Sequence, residues 1–310
     1  MTNLAIIIVN WNTRALTLDA LRTLYADLDA NGPEHSVVWV VDNASDDGSA
    51  EAIRAEFPRT RLIASEENLG FAGGNNAALR EIGFGDKSPG GDLPRAVYLL
   101  NSDTRTHPGA TWALFDALFS LSDAGVVGAR LHYDDGSFQH SAFAFPGLAQ
   151  LWIELLPAPR RFYDSRLNGR YPREKYHGGD PFQVDHTLGA TMMLRREAIQ
   201  KTGLFDEQFH MYCEEIDWSW RIQYAGWNIY CVPSARVTHL GGQSTGQVRP
   251  QSIVNLWTSR LLLFEKYYPR WKFMLARRII RAGMRRAIRR ANSDHALIDA
   301  YEQVIFLTHP

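Results

Sequence analysis

Within the first hundred residues, short β-branched apolar runs alternate with segments of helical period, and each run ends in a polar cluster. Residues 4–9 (LAIIIV) read as a buried strand that runs into Asn10, Trp11 and Asn12. Over 15–28, Leu16, Leu18, Leu21, Leu24 and Leu28 fall largely along one helical face. Residues 37–41 (VVWVV) form a second buried strand that ends in Asp42 and Asn43. Ser45, Asp46, Asp47 and Ser49 offer N-caps for a helix through Glu56, which Pro58 stops. A short strand at 62–64, a helix from Gly70 through Ile82, a Gly/Pro/Asp-rich loop over 83–94 and a strand at 96–100 complete the series. This alternation predicts a mostly parallel sheet with right-handed crossovers. Ligands in such sheets sit beyond the carboxyl ends of the strands, where Asn10, Asp42, Asn68 and Asn101 to Asp103 all fall. Four polar clusters at one sheet edge are the pattern of a nucleotide site.

From Leu131 the pattern changes. Asp134, Asp135 and Gly136 read as a hairpin turn, and 140–180 is rich in Pro, Arg and aromatic residues without clear periodicity. Strands are expected around 182–185, over 190–194, and as two short pieces at 229–232 and 235–239. A helix is expected over 214–225, stopped by Gly226, and the chain past 250 reads as helical.

Charge and cysteine content narrow the classes. The 310 residues carry 33 basic and 34 acidic side chains, a balance that argues against a surface adapted to nucleic acid. Eight of the cations lie in 271–290, which holds no acid, so basicity is concentrated near the C-terminus. There Phe273, Ile280, Met284 and Ile288 fall on one helical side, and Arg277, Arg278, Arg281, Arg285 and Arg289 mostly on the other. Such a helix suits an anionic membrane surface, a lipid diphosphate, or packing on its own domain. Cys213 and Cys231 alone build neither a disulfide framework nor a four-ligand zinc site, which suggests a reducing compartment. No apolar stretch has the length of a membrane span or signal peptide, so a cytoplasmic location is expected.

Asp103, placed between a buried strand and a helix that begins near Pro108, suits a hard divalent cation bridging two phosphates, or simply shapes the turn. A dinucleotide-binding dehydrogenase would need a GxGxxG turn after the first strand, where Asn10-Trp11-Asn12-Thr13 stands instead.

Val9-Asn10-Trp11-Asn12, the run from Val41 to Ser49 (VDNASDDGS), the run from Glu67 to Asn76 (ENLGFAGGNN) and Leu100-Asn101-Ser102-Asp103 together resemble the family 2 glycosyltransferases, especially bacterial rhamnosyltransferase-type members. A second block continues the resemblance: Gly189-Ala190, Arg195 to Ala198, Gly203 to Glu207, Met211 to Asp217, Arg221, Ala225-Gly226-Trp227, Val232-Pro233, Ala235 and the run from His239 to Ser244. It implies a GT-A fold, a mostly parallel central sheet in an αβα sandwich with C-terminal helices. The catalytic domain is then 1–245, with a nucleotide-binding half at 1–130 and an acceptor half at 131–245. Residues 246–310 are a helical, basic, amphipathic extension.

The resemblance also implies roles. Asp42 reads the nucleobase edge, and Asn10, Asn12 and Asn68 line the nucleotide pocket. Asn101-Ser102-Asp103 takes the place of the DxD motif, with Asn101 near the ribose and Asp103 and His239 on a Mn²⁺ or Mg²⁺ ion. The base comes from Glu214-Glu215, where relatives usually carry Glu-Asp, and a carboxylate there can take the proton of an attacking sugar hydroxyl. Asp185, Gly189, Ala190 and Asp217 are placed on the donor or acceptor sugar, with Asp217 the more structural of the α-helical acids, and His186 stands where relatives often carry Trp. Trp152, Phe162, Tyr163, Tyr171 and Tyr176 are candidates to stack on a sugar or pack the core. The implied reaction is inverting and metal-dependent, from a nucleotide-diphosphate sugar such as dTDP-rhamnose to a polyprenyl-diphosphate-linked or growing surface glycan. Alternatives are a UDP- or GDP-sugar donor, or a non-catalytic nucleotide-sugar-binding protein.

Overall fold

The computed structural model describes residues 2–85, 93–241, 248–291 and 294–309. Most of the loop expected over 83–94, and Gly242, Gln243 and Ser244, lie outside these residues. The chain opens with β1 (Leu4–Asn10), α1 (Arg14–Asn31), β2 (Ser36–Asn43), α2 (Ser49–Glu56), β3 (Arg61–Ser65), α3 (Gly70–Ile82) and β4 (Ala96–Asn101). There follow β5 (Thr104–Thr106), α4 (Ala110–Ser120), β6 (Ala124–His132), β7 (Phe138–Gln139), β8 (Ala142–Phe143) and α5 (Leu148–Leu155). After three short 3₁₀ turns come β9 (Phe182–Val184), β10 (His186–Thr187), β11 (Thr191–Arg195), α6 (Arg196–Thr202), α7 (Glu214–Tyr224) and β12 (Asn228–His239). The chain closes with α8 (Arg249–Tyr267), α9 (Arg270–Ile288) and α10 (His295–Leu307).

The main path of the large sheet runs β3-β2-β1-β4-β11-β6-β12-β5. β3, β2, β1, β4, β6 and β12 point one way, and only β11 and β5 on this path run against them. The apolar run of β1 is buried on both faces, as a central parallel strand requires. One side packs Leu21 and Leu24 of α1, Ile53 of α2 and Leu114 of α4; the other packs Leu79 of α3, Ile199 of α6 and Trp218 of α7. The result is the αβα sandwich expected from the alternating pattern.

Three local expectations change. The helix after β2 is entered through Gly48 in the left-handed region, and Asp47 Oδ1 accepts from the Ser49 amide at 3.0 Å. The pieces at 229–232 and 235–239 are one strand, β12, whose register on β6 slips between Val232 and Arg236 around Pro233. The stretch 140–180 hides α5 and the 3₁₀ turns. β6 escapes a periodicity search because Gly125 and Gly128 interrupt it, yet both are required there. A Cβ at Gly128 would stand 2.5 Å from Thr187 Cγ2, and one at Gly125 2.6 Å from Trp227 Cβ.

The C-terminal helices form a third core with α5, in which Leu151 meets Trp257, Phe264, Ile280 and Met284. Gly283 lets α9 approach α5 closely, since a Cβ there would lie 2.7 Å from Leu155 Cβ. Gly283→Val is expected to lower stability by about 1–3 kcal/mol through overpacking, outweighing a helical gain over glycine of under about 1 kcal/mol. A fall in the urea midpoint at unchanged slope checks it.

Candidate active site

The carboxyl ends of β1 and β4 open onto a cleft of about 250 Å³. Its walls carry Asn68, Asn101, Ser102, Asp103, Gly189, Ala190, Glu214, Glu215 and His239. Residues from five separate stretches of sequence, all assigned to the site beforehand, therefore meet in one place. Trp11, Asn43, Phe71, Met211 and Tyr212 join them. Of these, Trp11 and Asn43 belong to the clusters named at the ends of the first two strands, though neither was given a role in the site.

Three groups of predicted residues serve the cleft from behind it. Asn10 is fully buried and donates to Asp42 Oδ1 at 2.6 Å, while its own Oδ1 accepts from Thr13 and Thr17. Asp42 in turn accepts from the Ser45 amide at 3.2 Å. Asn12, at φ 51°, accepts from the Asp46 amide at 2.9 Å, so these residues staple the β1 and β2 loops together. The Asp185 carboxylate accepts from the Phe145 amide at 2.9 Å and from the Tyr171 hydroxyl, and does not line the cleft. Asp217 is fully buried and also off the cleft: it accepts from Arg221 Nε at 2.8 Å and from Tyr267 at 2.7 Å, with Lys266 Nζ 2.7 Å away. Tyr171 and Tyr176 are core residues, whereas Trp152 and Tyr163 are exposed.

Asp103 and His239 face each other across the strand ends, both nearly buried, with His239 Nε2 3.4 Å from Asp103 Oδ1. His239 Nδ1 lies 3.2 Å from Gln139 Oε1. Nε2 is the ring nitrogen that faces the Asp103 carboxylate, and such a mixed O/N pair has the chemistry of divalent-metal ligands. Among the described residues no group of three or more His, Cys, Asp or Glu side chains is placed to hold a metal ion.

Glu214 and Glu215 begin α7 directly after Tyr212 and Cys213, two consecutive non-glycine residues in the left-handed region. Such a backbone costs on the order of 1–3 kcal/mol per residue and persists only where the surroundings enforce it. Here the Ser259 hydroxyl of α8 donates to the Met211 carbonyl at 2.8 Å, and Leu263 packs with Phe209, Cys213 and Trp220. On the opposite flank, Phe71 N donates to the His210 carbonyl at 3.3 Å. Gly70, at φ 70°, is needed beside it because a Cβ would press on that carbonyl. Burial pushes the Glu215 carboxyl up to about 7, against the lowering pull of backbone N–H groups at the helix start and of Arg260. Burial, and then the charge of Glu215, raises Glu214 well above the usual carboxylate range. Arg260 is itself ion-paired to Glu154. Among the described residues Asn43 Oδ1, Asn101 Oδ1, Glu214 Oε2 and Glu215 Oε2, all on side chains that line the cleft, are buried without a hydrogen-bond partner.

A mostly parallel sheet with a cleft at the carboxyl ends of its strands is the kind of frame that binds nucleotides. Residues 2–253 match the family described as "Glycosyltransferase like family 2", and the chain belongs to that family. It is 31% identical over 216 residues to the N-acetylglucosaminyl-diphospho-decaprenol L-rhamnosyltransferase of Mycobacterium tuberculosis, covering 68% of each chain. It is 27% identical over 231 residues to the low-salt glycan biosynthesis hexosyltransferase Agl10 of Haloferax volcanii, covering 74% of this chain and 64% of that one. Two solved structures share the fold. The mannosyltransferase PcManGT from Pyrobaculum calidifontis, in complex with GDP-Man and Mn²⁺, superposes with a TM-score of 0.53 at 17% identity, over 99% of this chain and 84% of that one. GalNAc-T7 with UDP, GalNAc and Mn²⁺ gives 0.59 at 15% identity, over 98% of this chain but only 54% of its own length.

Asp217→Ala removes a wholly buried carboxylate and its bonds to Arg221 and Tyr267, while the partly exposed Lys266 keeps Asp206 at 2.8 Å. A loss of about 1–3 kcal/mol in unfolding free energy is expected, measured by urea denaturation.

Proposed function

We propose that the protein is an inverting, metal-dependent glycosyltransferase that moves rhamnose from dTDP-rhamnose onto a polyprenyl-diphosphate-linked glycan in surface polysaccharide assembly. The observation that carries this reading is the meeting, in one cleft, of the Asp103–His239 pair and the Glu214–Glu215 pair. The mycobacterial relative, named as a rhamnosyltransferase acting on a diphospho-decaprenol acceptor, supports the choice of sugar and acceptor.

Asp103 and His239 would hold a Mn²⁺ or Mg²⁺ ion, with diphosphate oxygens of the donor completing its shell. When bound, the ion stabilises the negative charge that develops on the leaving diphosphate. Gln139 lies beside His239 Nδ1, and Asn10, Asp42 and Ser45 keep the nucleotide-side loops in register. The Asn43 and Asn101 side-chain oxygens would accept from the hydroxyl and N–H donors of a nucleoside. Glu215 takes the proton of the acceptor hydroxyl as its oxygen bonds to the anomeric carbon from the face opposite the phosphate. The C1–phosphate bond breaks in the same step, so the anomeric configuration inverts. Glu214, which burial keeps protonated longer, leaves Glu215 as the carboxylate that ionises first.

Calorimetry with dTDP, UDP and GDP, each with and without Mn²⁺, tests the donor side. dTDP is expected to bind tightest and only with the metal, and Asp103→Ala to lose at least about tenfold of that affinity while melting as the parent does. Native-rate transfer by this variant would remove the metal from Asp103. Glu215→Gln should keep donor binding and lose about 10²–10⁴-fold in turnover. Because the base acts ionised and sits at about 7, turnover of the parent should rise with pH through that value and fall away below it. A flat profile between pH 5 and 8 would move the base elsewhere.

A further inference from the structure

Large apolar side chains left in solvent concentrate on the C-terminal helices. Trp271 (66% exposed), Met274 (37%) and Leu275 (40%) lie on α9, and Phe306 (78%) and Leu307 (42%) end α10. On α9 the outward positions include Trp271, Met274, Leu275, Arg278, Arg285 and Arg289, whose spacing follows one helical stripe. The opposite side, with Ala276, Ile279, Ile280, Gly283 and Met284, is packed against α5, α8 and α10.

Hydrogen bonds bring the two apolar groups to one margin. Arg277 Nε donates to the Thr308 carbonyl at 2.8 Å, and Arg281 Nε donates to Thr308 Oγ1 at 3.0 Å. Arg277 also lies 3.7 Å from the Met274 sulfur. Phe306 and Leu307, immediately before Thr308, are therefore held beside the apolar half of the α9 stripe. α9 contains no acid. The carboxylates that flank α9 in sequence are Glu265 before it and Asp294 after it, and Asp299 and Glu302 lie on α10 one to two turns before Phe306.

We propose that this face docks on an anionic lipid bilayer. Trp271, Met274, Leu275, Phe306 and Leu307 enter the headgroup boundary, and Arg278, Arg285 and Arg289 lie against lipid phosphates. A flat helix, packed on one side and carrying large apolar residues at one end and unpaired arginines at the other, matches an interface of apolar boundary and negative charge. A protein partner would have to supply both an apolar pocket and a row of acids along some 27 Å of helix, using about 1.5 Å per residue. The proposal is independent of which nucleotide sugar the cleft takes. The arginines concerned are three of the five that periodicity places on the basic side, since Arg277 and Arg281 are used on Thr308, whereas the apolar residues are new, since Ile280 and Met284 are core.

Co-sedimentation of the full chain with phosphatidylcholine vesicles, with and without phosphatidylglycerol, tests it. Binding should require the anionic lipid and weaken as salt rises. A Trp271→Ser, Leu275→Ser variant should bind about tenfold or more weakly. An Arg278→Gln, Arg285→Gln, Arg289→Gln variant should lose on the order of 100-fold. All five side chains are at the surface, and thermal melting and nucleotide calorimetry of each variant confirm that fold and cleft are intact. Absence of binding to anionic vesicles, or binding that both variants retain, overturns the proposal. So does a concentration-dependent dimer, seen by sedimentation velocity, that only the Trp271→Ser, Leu275→Ser variant abolishes, because the face is then a contact between copies.

Discussion

A carboxylate with no access to water, Asp217, anchors the catalytic end of the molecule. An unpaired charge in that position would be prohibitive, and three partners make it tolerable: Arg221 one turn along α7, and Lys266 and Tyr267 from α8. The ring of Tyr267 continues the same junction, stacking at 4.4 Å on Trp220, which stacks at 3.9 Å on Phe145. α7 is thus fixed in position and rotation by groups from two other parts of the chain. Glu214 and Glu215 lie within one turn of Asp217 on the same helix, so their place in the cleft follows from that fixation. The strained Tyr212–Cys213 entry is held from the same side by Ser259. The C-terminal helices, which read in sequence as an extension, are in this sense part of the active-site framework.

The electrostatics of the cleft follow from competition between burial and local dipoles. A helix N-terminus favours anions by roughly 0.3–1 kcal/mol in exposed settings, which alone would lower the Glu215 carboxyl. Its rise to about 7 shows that desolvation wins. Arg260 does not reverse this, because its guanidinium is engaged by Glu154 and only part of its field acts on Glu215. The protein thereby keeps two adjacent carboxyls in one low-dielectric site without ionising both. The Asp103–His239 pair, by contrast, sets Nε2 toward the carboxylate and Nδ1 toward Gln139.

Much of the N-terminal part of the sheet was legible because parallel strands buried on both faces read as unbroken apolar runs and their ends as polar clusters. β1, β2, β4 and α3 fall within a residue or two of their expected bounds. The cleft was legible for the same reason: Asn68, Asn101, Asp103 and His239 sit at strand or helix ends. Asp185 was not, and Asp217 only in part, as the more structural of the helical acids, since an acid next to a site motif has the same one-letter signature whether it faces ligand or core. Only the partners distinguish the two cases, and these come from Phe145, Tyr171, Lys266 and Tyr267, distant in sequence. β6 was lost to its glycines, whose reason is tertiary contact with Thr187 and Trp227.

The basic segment shows the same limit in another form. Helical period separates an apolar from a basic side but cannot say which arginines are spent within the fold. Arg277 and Arg281 both fall on the basic side, yet both close the end of α10 by binding Thr308. Arg278 lies beside Arg277 in sequence and points along the outer stripe with Arg285 and Arg289. Conversely, Trp271, Met274 and Leu275 break the two-sided pattern by putting apolar surface among the charges. Exposed apolar residues scattered singly are ordinary, and it is their grouping at one end of α9 beside Phe306 and Leu307 that sets this face apart. Gly283 has the complementary role: by drawing α9 onto Leu155 it joins that outer stripe rigidly to α5 and, through Glu154 and Arg260, to the helix that braces the cleft.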